Sequence, residues 1–254
     1  LVKENIDEED IENLLIEQIE FCNTIVLNKV DEVNEKELNA VKSVIKHLQP
    51  TAKIIETNYA KVDVKEIMDT KLFNIDEISG SAGWIKELEK DEAENEEEEH
   101  HHDEDDDDEE EHDYESHEHE HHHHHHHDEG EAEEYGISTF VYTSRKAFDS
   151  KKFEDFVNTN FPKSVIRCKG LVWFQQDNDM SYLFEQAGQQ VKLTESGYWL
   201  ATAPKNELDQ MIAQDPDILK NWDEEVGDRM VKLVFIGKDM DKDHIISDLN
   251  KLQY

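Results

Sequence analysis

Apolar residues recur at regular spacings through the first ninety residues. From Asp7 to Asn23 they fall three or four positions apart, which predicts an amphipathic helix. The β-branched run Thr24–Leu27 predicts a strand buried on both faces of a parallel sheet. A second helical pattern covers Asn34–Leu48, and Ala52–Ile55 predicts the next strand. Strand, helix and strand in this order predict a βαβ unit, so residues 1–90 are predicted to be the latter part of a doubly wound α/β domain.

The segment 135–254 mixes strand and helix patterns. Strands are predicted at Gly136–Thr143, Val165–Gln175, Ser181–Gln186, Gln190–Leu193, Tyr198–Thr202 and Met230–Ile236, and helices at Asp149–Asn160, from Pro204 onward, and at Asp241–Leu252. This mixture predicts a compact α+β domain of ferredoxin-like character. The large aromatic residues Trp173, Phe174, Tyr198 and Trp199 occupy strand positions. We interpret them as core residues rather than as the lining of a groove for a partner protein.

Between these two segments, residues 91–134 have a low-complexity composition. They include 25 acidic residues and no Lys or Arg. So few apolar side chains cannot offset the conformational entropy lost on folding, so a disordered linker is predicted. The sequence therefore divides into residues 1–90, 91–134 and 135–254.

The net charge of −38 comes mainly from this linker, because the other 210 residues carry 39 acidic and 26 basic side chains. No basic patch is present that could neutralise phosphates, so nucleic acid is not an expected partner. No run approaches the length of about 18 apolar residues that a membrane span requires. The two cysteines, Cys22 and Cys168, form no spaced motif, which favours a reducing, cytoplasmic compartment.

A nucleotide motif follows the first predicted strand. Asn28-Lys29-Val30-Asp31 matches the Asn-Lys-x-Asp element with which GTPases recognise the base. Guanine carries N1–H and N2–H donors side by side, and the carboxylate of Asp31 can accept both. Asn28 can contact N7 and the neighbouring loops, and the aliphatic stem of Lys29 can lie over the base. A polar turn between a strand and a helix is the alternative, and the position of the motif favours a guanine site.

The sequence around this motif offers one further base-contacting loop but no phosphate-binding or Mg²⁺-binding motif. Thr57-Asn58-Tyr59 follows the second strand, where a GTPase places its last base-contacting loop, which works largely through backbone N–H groups. No Gly-x-x-x-x-Gly-Lys-Ser/Thr motif is present to hold phosphates, and no acidic strand end to hold Mg²⁺ precedes Asn28. The chain starts with Leu1 rather than Met. We expect an N-terminally truncated chain that does not hydrolyse GTP by itself.

Several stretches together resemble the CobW family of GTPases, nearest its zinc-responsive bacterial branch. They are Glu20–Asp31, Leu72–Ile75, Gly83–Leu88, Glu134–Tyr142, Arg145–Phe148, Arg167–Gly170 and Gly197–Trp199. The resemblance covers nearly the whole chain outside the linker. It implies a P-loop GTPase domain, here partial, followed by the C-terminal domain of the family. It also implies GTP-dependent insertion of metal into client proteins, with GTP, Mg²⁺ and Zn²⁺ as the bound species.

The chain departs from the family pattern, because it lacks the P-loop and the Cys-x-Cys-Cys metal site, which the resemblance would place upstream of its first residue. Of the family's functional residues, the resemblance therefore carries over only Asn28, Lys29 and Asp31. Cobalt delivery for cobalamin synthesis remains an alternative within the family. The oligomeric state, the client protein and the choice among zinc, cobalt and nickel stay open.

Thirteen of the 15 histidines lie in the linker, and neutral imidazole suits Zn²⁺ and related divalent ions. We predict exchangeable metal ligands at His100, His101, His102, His112, His117, His119, His121, His122, His123, His124, His125, His126 and His127. A tract without fixed geometry should bind several ions with little selectivity, and binding should weaken as the pH falls. An acidic linker with incidental histidines is the alternative. Passive metal storage or sensing is the second functional hypothesis.

Basic residues, two cysteines and two isolated histidines lie outside these motifs. The main basic residues of the C-terminal segment are Arg145, Lys146 and Arg167. They could contact the acidic linker, a client protein or nucleotide phosphates. Cys22 and Cys168 are interpreted as buried small hydrophobic residues rather than metal ligands. His47 and His244 are interpreted as structural or solvent-facing.

Overall fold

The computed structural model describes residues 8–72, 82–87 and 135–254. Asp7, where the first helix was predicted to start, and the acidic, histidine-rich tract lie outside the described residues. The N-terminal part consists of α1 (Glu8–Glu20), β1 (Thr24–Asn28), α2 (Glu35–Leu48), β2 (Lys53–Thr57) and the short α3 (Val64–Ile67). β1 and β2 are parallel, so the predicted βαβ unit is confirmed. α2 begins at a capping box in which Asn34 and Glu37 each bind the backbone N–H of the other.

The prediction that β1 is buried on both faces is wrong. The strand is only partly buried, and the side chain of Val26 is 40% exposed. In the described part of the chain the parallel sheet contains β1 and β2 alone, so one face of β1 is incompletely covered.

The C-terminal part forms one five-stranded antiparallel sheet with helices. Its elements are β3 (Ile137–Ser144), α4 (Ser150–Asp155), β4 (Val165–Phe174), β5 (Asp177–Ala187), β6 (Gln190–Tyr198), α5 (Lys205–Gln214), β7 (Val231–Lys238) and α6 (Lys242–Leu252). The spatial order is β3-β7-β4-β5-β6. α4 joins two parallel strands that β7 separates, which is the split βαβ arrangement of ferredoxin-like folds. The described residues thus form a mixed α/β structure, with one parallel and one antiparallel sheet.

The chain from β6 to Thr202 differs from the sequence prediction. β6 is continuous from Gln190 to Tyr198, and a short 3₁₀ helix covers Leu200–Thr202, where a separate strand was predicted. Tyr198 is 72% exposed, so its assignment to the core is wrong, whereas Trp199 is buried. The reason is that β6 is an edge strand that other elements leave uncovered, so all of its residues after Gln190 are exposed.

One face of the antiparallel sheet holds the larger core. Aromatic rings of α4 and of the strands pack together there, as in the edge-to-face contact of Phe153 with Phe184 at 5.2 Å. Ile245, Leu249 and Leu252 of α6 close this core. β4 and β7 approach closely at Gly170, which has φ 155°; a Cβ there would overlap the Lys232 carbonyl oxygen.

The opposite face of the sheet is covered by the N-terminal helices. Leu48 of α2 packs on Val234 and Ile236 of β7, with Ile16 and Ile19 of α1, Val44 of α2, Val141 of β3 and Trp84 beside them. A helical turn at residues 83–87 carries Trp84, and the Lys169 ammonium lies 4.5 Å from its ring centroid. The two halves of the chain therefore share a hydrophobic interface.

A buried ion pair crosses this interface. Arg167 of β4 donates through Nε and Nη2 to the two carboxylate oxygens of Glu20 at 2.7 and 2.9 Å, and both side chains are almost fully buried. Burial raises the pKa of Glu20, while the guanidinium opposes that rise. The bidentate geometry fixes the end of α1 against the sheet.

We expect Glu20→Ala to lower the free energy of unfolding by about 3–5 kcal/mol, because it removes the bidentate partner of the buried Arg167 and leaves, among the described residues, only the Glu185 carboxylate, 3.8 Å away. Glu56→Ala is the matched control. It breaks the Lys42–Glu56 pair, which has the same 2.7 Å separation but side chains 36% and 40% exposed. That loss should be below about 1 kcal/mol. Urea denaturation of both variants measures the difference, and equal losses would contradict the role given to the buried pair.

Candidate functional site

The predicted nucleotide motif lies at the carboxyl end of β1. Asn28 is the last residue of β1 and pairs with Thr57, the last residue of β2. Because both strands run in the same direction, the loops that follow them leave the sheet side by side. This edge of a parallel sheet is where doubly wound proteins bind ligands.

Two asparagine side chains tie the adjacent loops together. Asn28 accepts a hydrogen bond from the backbone N–H of Ala60 at 2.9 Å. Asn58 accepts one from the backbone N–H of Asp31 at 3.0 Å. Each strand end thus sends an amide side chain to the loop that follows the other strand. We call this pair of bonds the asparagine clasp.

The loop after β1 presents its charged residues to solvent. Lys29 has a left-handed backbone with φ 63°, and a 3₁₀ turn covers Val30–Glu32. Asp31 is exposed. The Lys29 ammonium lies 3.8 Å from Glu32, but both side chains are about two-thirds exposed, so this contact holds Lys29 only weakly.

The described residues at this edge suit a guanine base. Asp31 offers an exposed carboxylate, which can accept from two adjacent N–H donors. The backbone N–H of Ala60 can only donate, so the Asn28 oxygen faces it and the Asn28 NH₂ group is directed elsewhere. Asn28, Lys29 and Asp31 are close in sequence, and the sheet places their loop beside the loop that follows β2. Sequence reasoning placed the 57–59 loop here but assigned no role to the Asn58 side chain.

No group of three or more His, Cys, Asp or Glu side chains within the described ranges could hold a metal ion. The thirteen histidines of the predicted metal tract lie outside those ranges. His47 contacts the carbonyl of Ser43 on its own helix, and the exposed His244 lies 3.3 Å from Asp248. Both contacts fit the structural or solvent-facing roles predicted for these two histidines. No described helix is both long and apolar enough to cross a membrane.

The basic residues of the C-terminal segment have internal partners. Arg167 is only 2% exposed and binds Glu20, so its predicted contact with the linker, a client or phosphates is wrong. Arg145 donates to the backbone carbonyls of Asn221, Gly227 and Arg229 at 2.7–3.3 Å. Lys146 remains exposed. Arg145 and Arg167 hold the fold together instead of forming a docking surface.

The two cysteines differ in their surroundings. Cys168 is fully buried in the aromatic core, and burial raises the pKa of its thiol well above the ordinary range. Cys22 lies just after α1 and is only half-buried, so its interpretation as a buried residue is wrong. Its thiol donates to the Ile19 carbonyl at 3.2 Å, and burial raises the pKa of this thiol as well. Within the described ranges, neither thiol belongs to a group of three or more His, Cys, Asp or Glu side chains that could hold a metal ion.

Two family models match most of this chain. Residues 2–56 match the CobW/HypB/UreG nucleotide-binding domain, and residues 137–253 match the cobalamin synthesis protein cobW C-terminal domain. The parallel β1–α2–β2 unit therefore belongs to a nucleotide-binding domain that is followed by a second, antiparallel domain. The chain is a member of the CobW family.

One relative and two solved structures are similar to this chain. The chain is 31% identical over 247 residues to Zinc-regulated GTPase metalloprotein activator 1 of Dictyostelium discoideum, covering 96% of this chain and 44% of that protein. The chain thus spans less than half the length of this relative. Zinc-bound YjiA GTPase from E. coli gives a TM-score of 0.38 at 13% identity, covering 97% of this chain and 57% of YjiA. A zinc-bound triple mutant of YjiA gives 0.37 at 13% identity, covering 94% and 54%.

We expect thiol labelling to separate the two cysteines. In the Cys168→Ala variant, the labelling rate of Cys22 should rise about tenfold per pH unit from pH 7 and keep rising past pH 9, because its raised pKa exceeds the ordinary value of about 8.5. In the Cys22→Ala variant, Cys168 should react only at the rate of unfolding. A chromogenic disulfide reagent measures both rates. Protection of either thiol by zinc, or fast labelling of Cys168 in folded protein, would contradict this interpretation.

Proposed function

We propose that this chain is the guanine-recognising and C-terminal part of a GTP-dependent metallochaperone that delivers zinc, or a related divalent metal, to client proteins. Membership of the CobW family supports the nucleotide-dependent part of the proposal. The name of the Dictyostelium relative, a zinc-regulated GTPase and metalloprotein activator, supports zinc and client activation.

The observation that carries the proposal is the geometry at the ends of β1 and β2. Asp31 is exposed, and its backbone is fixed by the hydrogen bond to Asn58. Adenine has no pair of adjacent donors on the corresponding edge, so a carboxylate at this position selects guanine. Asn28 and the stem of Lys29 complete the proposed base site.

Phosphate binding and hydrolysis are assigned to the whole protein rather than to the described residues. Mg²⁺ bound to the phosphates would neutralise the charge that develops during phosphoryl transfer. Within this chain, Asp31 binds and orients the base, and the clasp maintains the shape of its loop. We propose that the nucleotide state alters how the protein holds its metal cargo, in a reducing compartment such as the cytoplasm.

The histidine-rich tract is proposed to collect or buffer zinc near the GTPase domain. Its thirteen imidazoles and the surrounding carboxylates are ligand types that zinc accepts. The same composition also favours a second function, passive metal storage or sensing without nucleotide control. The two functions differ in whether guanine nucleotide changes the amount of metal that is bound.

We expect Asp31→Asn in the full-length protein to weaken GDP binding about 10- to 100-fold, since a charge-assisted bidentate contact is lost. The same variant should gain affinity for xanthosine diphosphate, because the Asn amide can accept from N1–H and donate to the C2 carbonyl of xanthine. Competition against a fluorescent guanine nucleotide measures both affinities.

Glu35→Gln is the matched control for this experiment, because it also removes one carboxylate, at the exposed first residue of α2. It should leave the base preference unchanged. If Asp31→Asn binds GDP as the wild type does, or if the wild type binds ADP equally well, the proposed guanine site is wrong.

Replacing the thirteen tract histidines with Gln should remove most of the bound zinc, because the chain keeps its length and acidic charge but loses its imidazole ligands. In the wild type, zinc binding should weaken below about pH 6, where imidazole becomes protonated. Equilibrium dialysis with and without GTP measures the number of ions. Replacing His47 and His244, which lie outside the tract, is the control and should change nothing. Unaltered zinc stoichiometry after replacement of the tract would contradict the buffering role.

A further inference from the structure

The side chain of Asn58 is the part of the asparagine clasp that the family motif does not include. Its Oδ1 atom accepts from the backbone N–H of Asp31, a residue 27 positions earlier in the chain. We propose that Asn58 is a positioning residue for Asp31 and thereby a determinant of guanine specificity. This inference rests on the proposed function and assigns the control of base selectivity at that same site.

The chemistry of the contact fixes the orientation of the Asn58 amide. A backbone N–H can only donate, so the atom that faces Asp31 must be the carbonyl oxygen of the side chain. The same reasoning orients Asn28 toward Ala60. Asn58 therefore acts on Asp31 as an acceptor, and a replacement that keeps an acceptor of similar length should keep this contact.

The backbone conformation around this contact explains why the two loops need the hydrogen bonds of the clasp. Lys29, Tyr59 and Ala60 all have left-handed backbones, with φ of 63°, 54° and 53°. L-residues other than Gly and Asn adopt this conformation reluctantly, so neither loop holds its shape by local preference alone. The two hydrogen bonds of the clasp connect the loops at points next to these three residues.

The position of the Asp31 backbone determines what its carboxylate can reach. Acceptance from two adjacent N–H donors requires both oxygens to face the same edge of the base. Because the Asp31 side chain is exposed to solvent, its orientation depends on the position of its backbone. Loosening the loop should therefore weaken the bidentate contact before it weakens contacts with other parts of the nucleotide.

The test is the ratio of the dissociation constants for inosine diphosphate and guanosine diphosphate in the full-length protein. Inosine lacks only the exocyclic 2-amino group, so the ratio reports one of the two donors that Asp31 accepts. We expect Asn58→Ala to reduce this ratio about tenfold, the size of one charge-assisted hydrogen bond. Asn58→Asp keeps an oxygen acceptor for the Asp31 N–H and should retain most of the ratio, even if added charge lowers the affinity for both nucleotides.

Asn34→Ala is the matched control, being another asparagine in the same loop region. It breaks the capping box of α2, whose bonds are 3.0 and 3.1 Å, so it should lower the melting temperature and leave the ratio unchanged. Equal weakening of both nucleotides in Asn58→Ala, or loss of the ratio in Asn58→Asp, would overturn the positioning role. Asp31→Asn separates the two proposals. If it abolishes the ratio while Asn58→Ala does not, the guanine site stands and this inference fails; if it leaves the ratio intact, the guanine site itself is wrong.

Discussion

Parallel pairing of β1 with β2 is the constraint on which the candidate site depends. The pairing sets Asn28 beside Thr57, so both loops leave the sheet at one edge. Side chains alternate between the two faces of a strand, so a slip of one residue would turn Asn28 to the other face and break its bond to Ala60. The backbone register thus brings the loop after β2, with Asn58 and Ala60, beside the Asn28–Asp31 motif that suits guanine.

That register is supported from the other half of the chain. Gln49, just after α2, donates from Nε2 to the carbonyl of Glu20 at 2.6 Å, and the carboxylate of Glu20 binds Arg167 of the antiparallel sheet. The end of α1, the end of α2 and β4 therefore meet at one buried point. A buried ion pair is weak evidence of net stability, because desolvation opposes the attraction. Its fixed bidentate geometry does define how the parallel unit sits on the sheet.

The sequence predicted the regular elements well, because helical and strand periodicities follow directly from which faces are buried. It failed where the outcome depended on a distant partner. Arg167 looked like a surface cation, but its carboxylate partner lies 147 positions away in the chain. Tyr198 looked like a core aromatic because a single strand pattern does not show which strand will lie at the edge of the sheet. Asn58 looked like an ordinary turn residue, since its contact with Asp31 requires the parallel register.

The asparagine clasp also affects the free energy of ordering the proposed nucleotide site. Each left-handed residue that is not Gly costs roughly 1–2 kcal/mol relative to its preferred conformation. A neutral hydrogen bond returns about 0.5–1.5 kcal/mol, so the two bonds of the clasp offset only part of the cost at Lys29, Tyr59 and Ala60. The rest must come from strand pairing and from the burial of α2 on the antiparallel sheet. The fold therefore offsets the cost of shaping these loops before any ligand arrives, and at the proposed site a base would lose little affinity to ordering them.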